Sequence, residues 1–436
     1  MPVLLRHGLV ASFPVLALAA CTTTTILAPP SGNRPDSGAV MADPVPIDEP
    51  DAAPAGETDA ASAPDTSSPV DPSYPAKHTP IPLVDFNGGA IIQAVKVVTV
   101  TFTGDSHRAQ LEQFGDTITA TPWWDAVTEG YCSPPGSATC VGRGSSGGHV
   151  VVTTAPATAL TDSAQGGPST VQSFIKAKLA AGVLPVPTKN TLYAIYLPTG
   201  VSVTLDSASS CQQFGAYHNT LMLPAAGGVS IPVPYAIMPR CDSTLTTLTV
   251  AASHELIEAA TDPDVGTNGV AYYMNDQLWG ALGGEVGDVC VDFTGTGSDV
   301  IQESGFSVQR SWSNKAAKAS HDPCLPAPAT PYFNVAPVAA SLQTSIAVGA
   351  SATIELDAFS DGPMADWTVQ AADFAQLQGG KSSLSFSFDK STAHNGAKIQ
   401  MTVKLLSSPP QGAAQYAIIS RSGKNTHFWP ALITAK

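Results

Sequence analysis

The chain has 436 residues, long enough for two domains once processing segments are set aside. Only 13% of its residues are charged, and the formal net charge is −15. With 20 basic residues against 35 acidic ones it lacks the positive field that nucleic-acid binding needs, which excludes that class of partner.

At the N-terminus, Arg6 and His7 precede an apolar run over 8–20, too short for a membrane span but suited to an export signal. The run ends Leu18-Ala-Ala-Cys21, which resembles a bacterial lipoprotein signal. Residues 1–21 are then the signal peptide, with Cys21 lipidated after cleavage. Thr22 follows in place of an aspartate, so the expected address is the bacterial cell envelope, at the outer membrane or cell surface. Residues 22–78 are rich in Pro, Ala, Ser, Asp and Thr, and only Arg34 and Lys77 are basic. Such a segment cannot bury enough apolar surface to fold and reads as a disordered acidic tether.

The first folded domain is expected over 79–330. Residues 81–103 read as a hairpin, in which an Asn87-Gly88-Gly89 turn leads into the β-branched run 97–102. A helix over 105–119 follows, with Leu111, Phe114 and Ile118 on one stripe. Trp123, Trp124 and Tyr131 form an aromatic patch, read as core packing, with carbohydrate stacking as the sharper alternative. Strands are expected at 147–153, 191–197, 217–223 and 233–238, with a helix at 169–181. A mixed sheet followed by a polar helix is compatible with an α+β zincin-like fold.

The helix in question is 250–263, Val-Ala-Ala-Ser-His-Glu-Leu-Ile-Glu-Ala-Ala-Thr-Asp-Pro. Ala, Leu and Glu favour helix, Asp242 or Ser243 is the expected cap, and Pro263 forces an end near Asp262. His254 and Glu258, four apart, share a face. This is the HExxH pattern of zinc peptidases with Glu258 replacing the second histidine, and carboxylate also binds zinc. Glu255 would be the base taking a proton from zinc-bound water. On an otherwise apolar helix these groups are costly to bury unless paired or metal-bound.

Further ligands must come from elsewhere. Glu285 and Asp288, in the Gly-rich stretch 283–290, are the first candidates, with His218 as another. Asp264 ranks lower, because Thr261 stands where the zinc-peptidase turn needs glycine and Pro263 distorts the path. Tyr217, Tyr272 or His218 could donate a hydrogen bond to a developing oxyanion. Calcium, held by Glu258, Asp262, Asp264, Glu285 and Asp288, is the alternative metal, although a histidine ligand favours zinc. A turn is expected at 266–269, and His321 is a weak catalytic candidate.

Six cysteines remain after Cys21, an even count that suggests disulfides in an exported protein. Cys132 is expected to pair with Cys140 around Pro134-Pro-Gly136, Cys211 with Cys241, and Cys290 with Cys324, out of about 15 possible pairings.

Taken in order, these segments resemble the exordium/phosphate-induced protein 1 family of secreted proteins, best known from plants and with bacterial members. The resemblance is carried by Phe86-Asn-Gly-Gly89, Trp123-Trp124, Tyr131, Phe174-Ile-Lys-Ala177, Gly182-Val-Leu-Pro185, Leu192-Tyr193 and Cys211 with Gly215-Ala-Tyr-His218. Its more specific part is Ser253-His-Glu-Leu256, Glu258-Ala-Ala-Thr-Asp-Pro263 and Glu285-Val-Gly-Asp-Val-Cys290. The resemblance covers about 81–324 and implies the fold and an extracellular place rather than an enzyme class. It places His218, His254, Glu255, Glu258, Glu285 and Asp288 in one site. Asp262 stands where plant members usually have asparagine, and the anchor, tether and extra domain put the plant growth role in doubt.

Residues 331–436 contain no cysteine. Alternating apolar patterns at 342–356, 383–388, 398–405 and 415–419 suit an all-β immunoglobulin-like sandwich, with Trp367 and Trp429 as core anchors. The chain as a whole reads as a monomeric, surface-anchored zinc metallohydrolase acting on a peptide, protein or cell-wall glycan. The alternative is a non-catalytic glycan- or protein-binding module with a structural ion.

Overall fold

The computed structural model describes residues 73–436 apart from 165, 225–229, 243, 265–268, 378–379 and 410–411. The signal segment, Cys21 and the tether up to residue 72 lie outside the described residues, as does most of the turn expected at 266–269. Among the described residues no helix is long and apolar enough to cross a membrane.

The first domain is built on a five-stranded sheet. Across it run Ser145–Val152, Lys96–Phe102, Thr191–Tyr196, Ser230–Met238 and Tyr217–Pro224. The first four are parallel, and Tyr217–Pro224 is antiparallel to its neighbour at the edge. The two central runs, Lys-Val-Val-Thr-Val-Thr-Phe and Thr-Leu-Tyr-Ala-Ile-Tyr, are buried almost throughout, as parallel strands covered on both faces must be. Alternation splits their side chains between two cores. Val97, Leu192 and Ala194 face the helices Arg108–Thr117, Pro122–Thr128 and Leu245–Thr261. Val98, Tyr193 and Ile195 face Thr170–Ala180 on the other side. Parallel strands, three of them joined by helical crossovers, make this a mixed α/β arrangement.

The hairpin expected over 81–103 does not form. Asp85–Phe86 instead pairs with Tyr272–Tyr273, far along the chain. The Asn-Gly-Gly turn serves a close approach of two backbones: a Cβ at Gly89 would lie 2.2 Å from the Gly269 carbonyl oxygen. Trp123 and Trp124 are fully buried, and their indole N–H groups donate to the carbonyls of Gln309 and Gly142, so the aromatic patch is core. All three expected disulfides are present.

The C-terminal domain is two sheets around one core. One carries Phe333–Pro337, Ser351–Ser360, Lys398–Leu405 and Leu384–Phe388. The other carries Gln343–Ile346, Asn425–Ala435, Ala413–Ser422, Trp367–Asp373 and Thr392–Ala393. Trp367 and Trp429 are both 2% exposed, as anchors should be. The single alternating run expected at 342–356 is broken in two, and its halves go to different sheets.

The two domains are packed together. Trp279 stacks among Trp312 of its own domain and Phe428 and Trp429 of the sandwich, at centroid distances of 5.1, 5.7 and 5.6 Å. The end of the expected tether is also docked: Asn395 bonds both the Ser73 carbonyl and the Ala76 N–H, and His78 stacks on Phe359. Ser73, Ala76 and His78, expected to be part of the tether, are instead held against the sandwich. Removing a buried indole costs about 3–5 kcal/mol. We expect Trp279→Ala to lower the stability of the full chain by that order in denaturant titration and to split one unfolding transition into two.

Candidate metal centre

The long helix begins at Leu245, with Thr244 as its cap: the Thr244 side chain accepts from the Thr247 N–H at 3.2 Å. Asp242, one of the two expected caps, instead braces Thr244 and Thr247, and Ser243 lies outside the described residues. The helix ends at Thr261, with Asp262 as its C-cap before Pro263. It is buried nearly all round, so His254, Glu255 and Glu258 are at most 2% exposed.

His254 is held by one residue that sequence reading missed. Gln309, at the end of the Phe306–Gln309 strand, donates through Nε2 to the Gly287 carbonyl at 2.8 Å. That bond fixes its amide, so Oε1 faces His254 Nδ1 at 2.9 Å and must accept. The hydrogen therefore sits on Nδ1. The Nε2 lone pair is left facing Glu258 Oε1 at 3.0 Å and Asp288 Oδ1 at 3.5 Å. This is the arrangement by which metal-binding imidazoles are oriented. Nothing in the sequence marked Gln309 as polar support.

The Gly-rich loop does reach the helix. Glu258 Oε1 accepts from the N–H groups of Gly287 and Asp288, both at 3.1 Å. Glycine is required here for space, since a Cβ on Gly287 would lie 2.8 Å from both Glu258 Oε1 and His254 Nδ1. Gly283, at φ +133°, would collide with the Asp288 carboxylate if it carried a side chain. Glu285, on the same loop, points its Oε1 to within 3.4 Å of His218 Nε2.

His218 enters from the edge strand. Its Nδ1 lies 3.2 Å from Glu255 Oε2 and 3.7 Å from Glu258 Oε2, and its Nε2 lies 3.0 Å from the Asp262 carbonyl. Two trios therefore have donor atoms within 4.8 Å of one another: His254, Glu258 and Asp288, and His218, Glu258 and Glu285. Asp264 belongs to neither. Glu255 Oε1, Glu285 Oε1, Asp288 Oδ1 and Asp262 Oδ2 are buried and lack a hydrogen-bond partner among the described residues. Orphaned acceptors of this kind, converging with two imidazoles, fit a cation.

The electrostatics agree. Burial, then the charges of Glu258, Asp262 and Asp288, hold the Glu285 carboxyl well above the usual range. Asp288 is pushed up to about 7 by burial and by Glu258, and Asp262 to about 7 chiefly by burial. Burial also raises Glu255. At Glu258 burial is outweighed by His254 and His218, and its carboxyl is lowered. Burial likewise opposes charging of His218, but its bond to Glu255 and the surrounding acids raise it. Without a cation these carboxylates cannot all ionise together.

Neither tyrosine expected to donate to an oxyanion is available. Tyr217, next to His218 on its strand, points to the opposite face of the sheet, and its hydroxyl donates to Asp162 at 2.8 Å. The Tyr272 hydroxyl is spent on Cys132, donating to its carbonyl and accepting from its N–H. Its neighbour Tyr273 is the tyrosine beside the acids; burial and then Glu285, Asp288 and Asp262 push its phenol up to about 12. His321 pairs with Asp361 of the sandwich, away from the cluster.

No family model matches the chain, and no curated protein matches it. Among solved structures it is similar to a chimeric titin Z1Z2 functionalized with a KLER exogenous peptide from decorin. That likeness has 14% identity, covers 24% of this chain and 97% of that one, and has a TM-score of 0.17, too low to carry any argument.

Loss of an outer partner of a ligating histidine typically weakens metal affinity by about 10- to 100-fold. We expect Gln309→Leu to do so in a competitive chelator titration while the circular dichroism of the chain is unchanged. Gly287→Ala, which drives a methyl into His254 and Glu258, should weaken it at least as much.

Proposed function

We propose that this chain is an exported zinc-dependent hydrolase acting on peptide bonds. His254, Glu258 and Asp288 would hold the metal, and Glu255 would be the general base. The observation that supports this best is the joint placement of a tautomer-fixed imidazole, two carboxylates from distant segments and an adjacent carboxylate with an orphaned oxygen. Zinc bound here would act as a Lewis acid and bring the pKa of a water to about 7. Glu255 Oε1, buried and with its carboxyl raised, is suited to take a proton and return it to a leaving amine. The mixed sheet with an antiparallel edge strand beside the ligand-bearing helix is compatible with a zincin-like domain, by fold analogy only. Imidazole donors favour zinc over calcium.

The rest of the reading follows from the sequence motifs. We assign 79–330 to exordium-type proteins on their ordered motifs, and Cys21 to a lipid anchor that holds the protein at the bacterial surface. Three disulfides support an oxidising compartment. The sandwich domain would act as an immunoglobulin-like spacer or binding module.

A second reading has its own support. His218, His254, Glu255, Glu258, Glu285 and Asp288 are all under 5% exposed, which suits a structural ion in a non-catalytic glycan- or protein-binding module. One variant separates the two. Glu255→Gln should retain zinc by mass spectrometry yet lose about 10²- to 10⁴-fold of peptide-library cleavage. Wild-type protein with full zinc and no cleavage of any peptide would instead establish the structural role. On either reading, chelation should lower the thermal midpoint, because the buried acids lose their counter-charge.

A further inference from the structure

We infer that the cluster is a two-cation centre in which Glu258 is shared. One divalent ion sits among His254, Glu258 and Asp288, and a second among His218, Glu258 and Glu285. This deepens the metal reading above and rests on it.

The distances are those of two sites rather than one. Donors about 2.1 Å from a tetrahedral zinc lie about 3.4 Å from each other. In the first trio His254 Nε2 is 3.0 Å from Glu258 Oε1 and 3.5 Å from Asp288 Oδ1. In the second, His218 Nδ1 is 3.7 Å from Glu258 Oε2, Glu285 Oε1 lies 3.4 Å from the other ring nitrogen, Nε2, and the three residues each offer a ligand atom within 4.8 Å of the others. The two oxygens of Glu258 thus face different imidazoles. A carboxylate so placed spans two ions about 3.5–4 Å apart, the spacing of two-metal hydrolytic sites.

Both imidazoles are also prepared in the same way. Gln309 Oε1 fixes the hydrogen of His254 on Nδ1. The Asp262 carbonyl, which can only accept, fixes that of His218 on Nε2. His218 Nδ1 then meets Glu255 Oε2 and Glu258 Oε2 as acceptor against acceptor, unless a cation or a second ring proton lies between them. Each trio contributes one buried carboxylate oxygen with no hydrogen-bond partner among the described residues, Asp288 Oδ1 in one and Glu285 Oε1 in the other. Charge points the same way. Glu255, Glu258, Asp262, Glu285 and Asp288 together exceed what one divalent ion offsets. Glu255 Oε2 borders the second ion and its orphaned Oε1 stays available, so the base lies at the edge of the pair.

The test is metal content of the full chain, stripped with chelator and reloaded separately with Zn²⁺ and with Mn²⁺. We expect two ions per chain in the wild type, falling to one in His218→Asn and one in Glu285→Gln, with both lost in Glu258→Ala. The Mn²⁺ protein should give a spin-coupled paramagnetic resonance spectrum in the wild type and an isolated-ion spectrum in His218→Asn. One ion in the wild type, unchanged in His218→Asn, overturns the second ion alone and makes His218 an imidazolium paired with Glu255. No ion at all overturns both this inference and the metal reading beneath it. Should a variant misfold by circular dichroism, the wild-type count and spectrum still decide.

Discussion

The structure is organised by buried negative charge that has no basic side chain to meet it. Among the described residues the ion-pair partners of Glu255, Glu258, Glu285 and Asp288 are the two imidazoles and no lysine or arginine. Two like charges about 4 Å apart repel by about 4 kcal/mol at an effective dielectric of about 20. Several such pairs cannot coexist in a domain whose whole stability is of order 5–15 kcal/mol. Either some of the acids take up protons, the direction in which burial pushes Glu255, Glu285 and Asp288, or cations enter. The convergence of these carboxylates with two imidazoles in two trios is what favours cations over protons here.

Holding such a cluster takes covalent and steric help, and the chain supplies both at the segments that carry donors. Cys211–Cys241 joins the approach to the His218 strand to the approach to the long helix. Cys290–Cys324 pins the loop that has just delivered Glu285 and Asp288. Each bridge is worth about 2–4 kcal/mol through the unfolded state, comparable with the repulsion it helps to contain. The glycines do the complementary work of removing bulk. Gly287 brings two backbone N–H groups onto Glu258, and Gly284 lets the Tyr273 ring lie where a Cβ would be, 2.3 Å from its Cζ.

Much of this was legible in the sequence, for reasons that differ from element to element. Strands such as Thr191–Tyr196 are short apolar runs bounded by turn residues, and the long helix carries its own stop in Pro263, so both could be placed. His254, Glu258, Glu285, Asp288 and His218 could be nominated because histidine and acid on apolar backgrounds demand partners. What could not be read was direction. Tyr217 and Tyr272 each sit one residue from a group at the site, and a period of two turns each away from it. Gln309 was invisible because its role exists only once the Phe306–Gln309 strand lies against the helix. The Asn-Gly-Gly turn was misread as a hairpin because local turn chemistry cannot reveal a partner strand almost two hundred residues away.

Burial is the feature that decides what a cation here would do. Excluding water strengthens every interaction in the cluster and fixes the tautomers on which ligation depends. The same closure keeps a polypeptide from the reacting centre, so hydrolysis demands an approach through a wall that is not sealed. Tyr273 is the partly buried side chain beside the acids: its ring lies on Gly284, and its phenol feels Glu285, Asp288 and Asp262. A tyrosine in that position combines partial exposure with a donor that stays protonated at neutral pH. On the catalytic reading it, rather than Tyr217 or Tyr272 with their hydroxyls committed to Asp162 and Cys132, would be the tyrosine to donate to an oxyanion. The catalytic reading therefore depends on the Tyr273 side of the cluster, and the structural reading on that side staying shut.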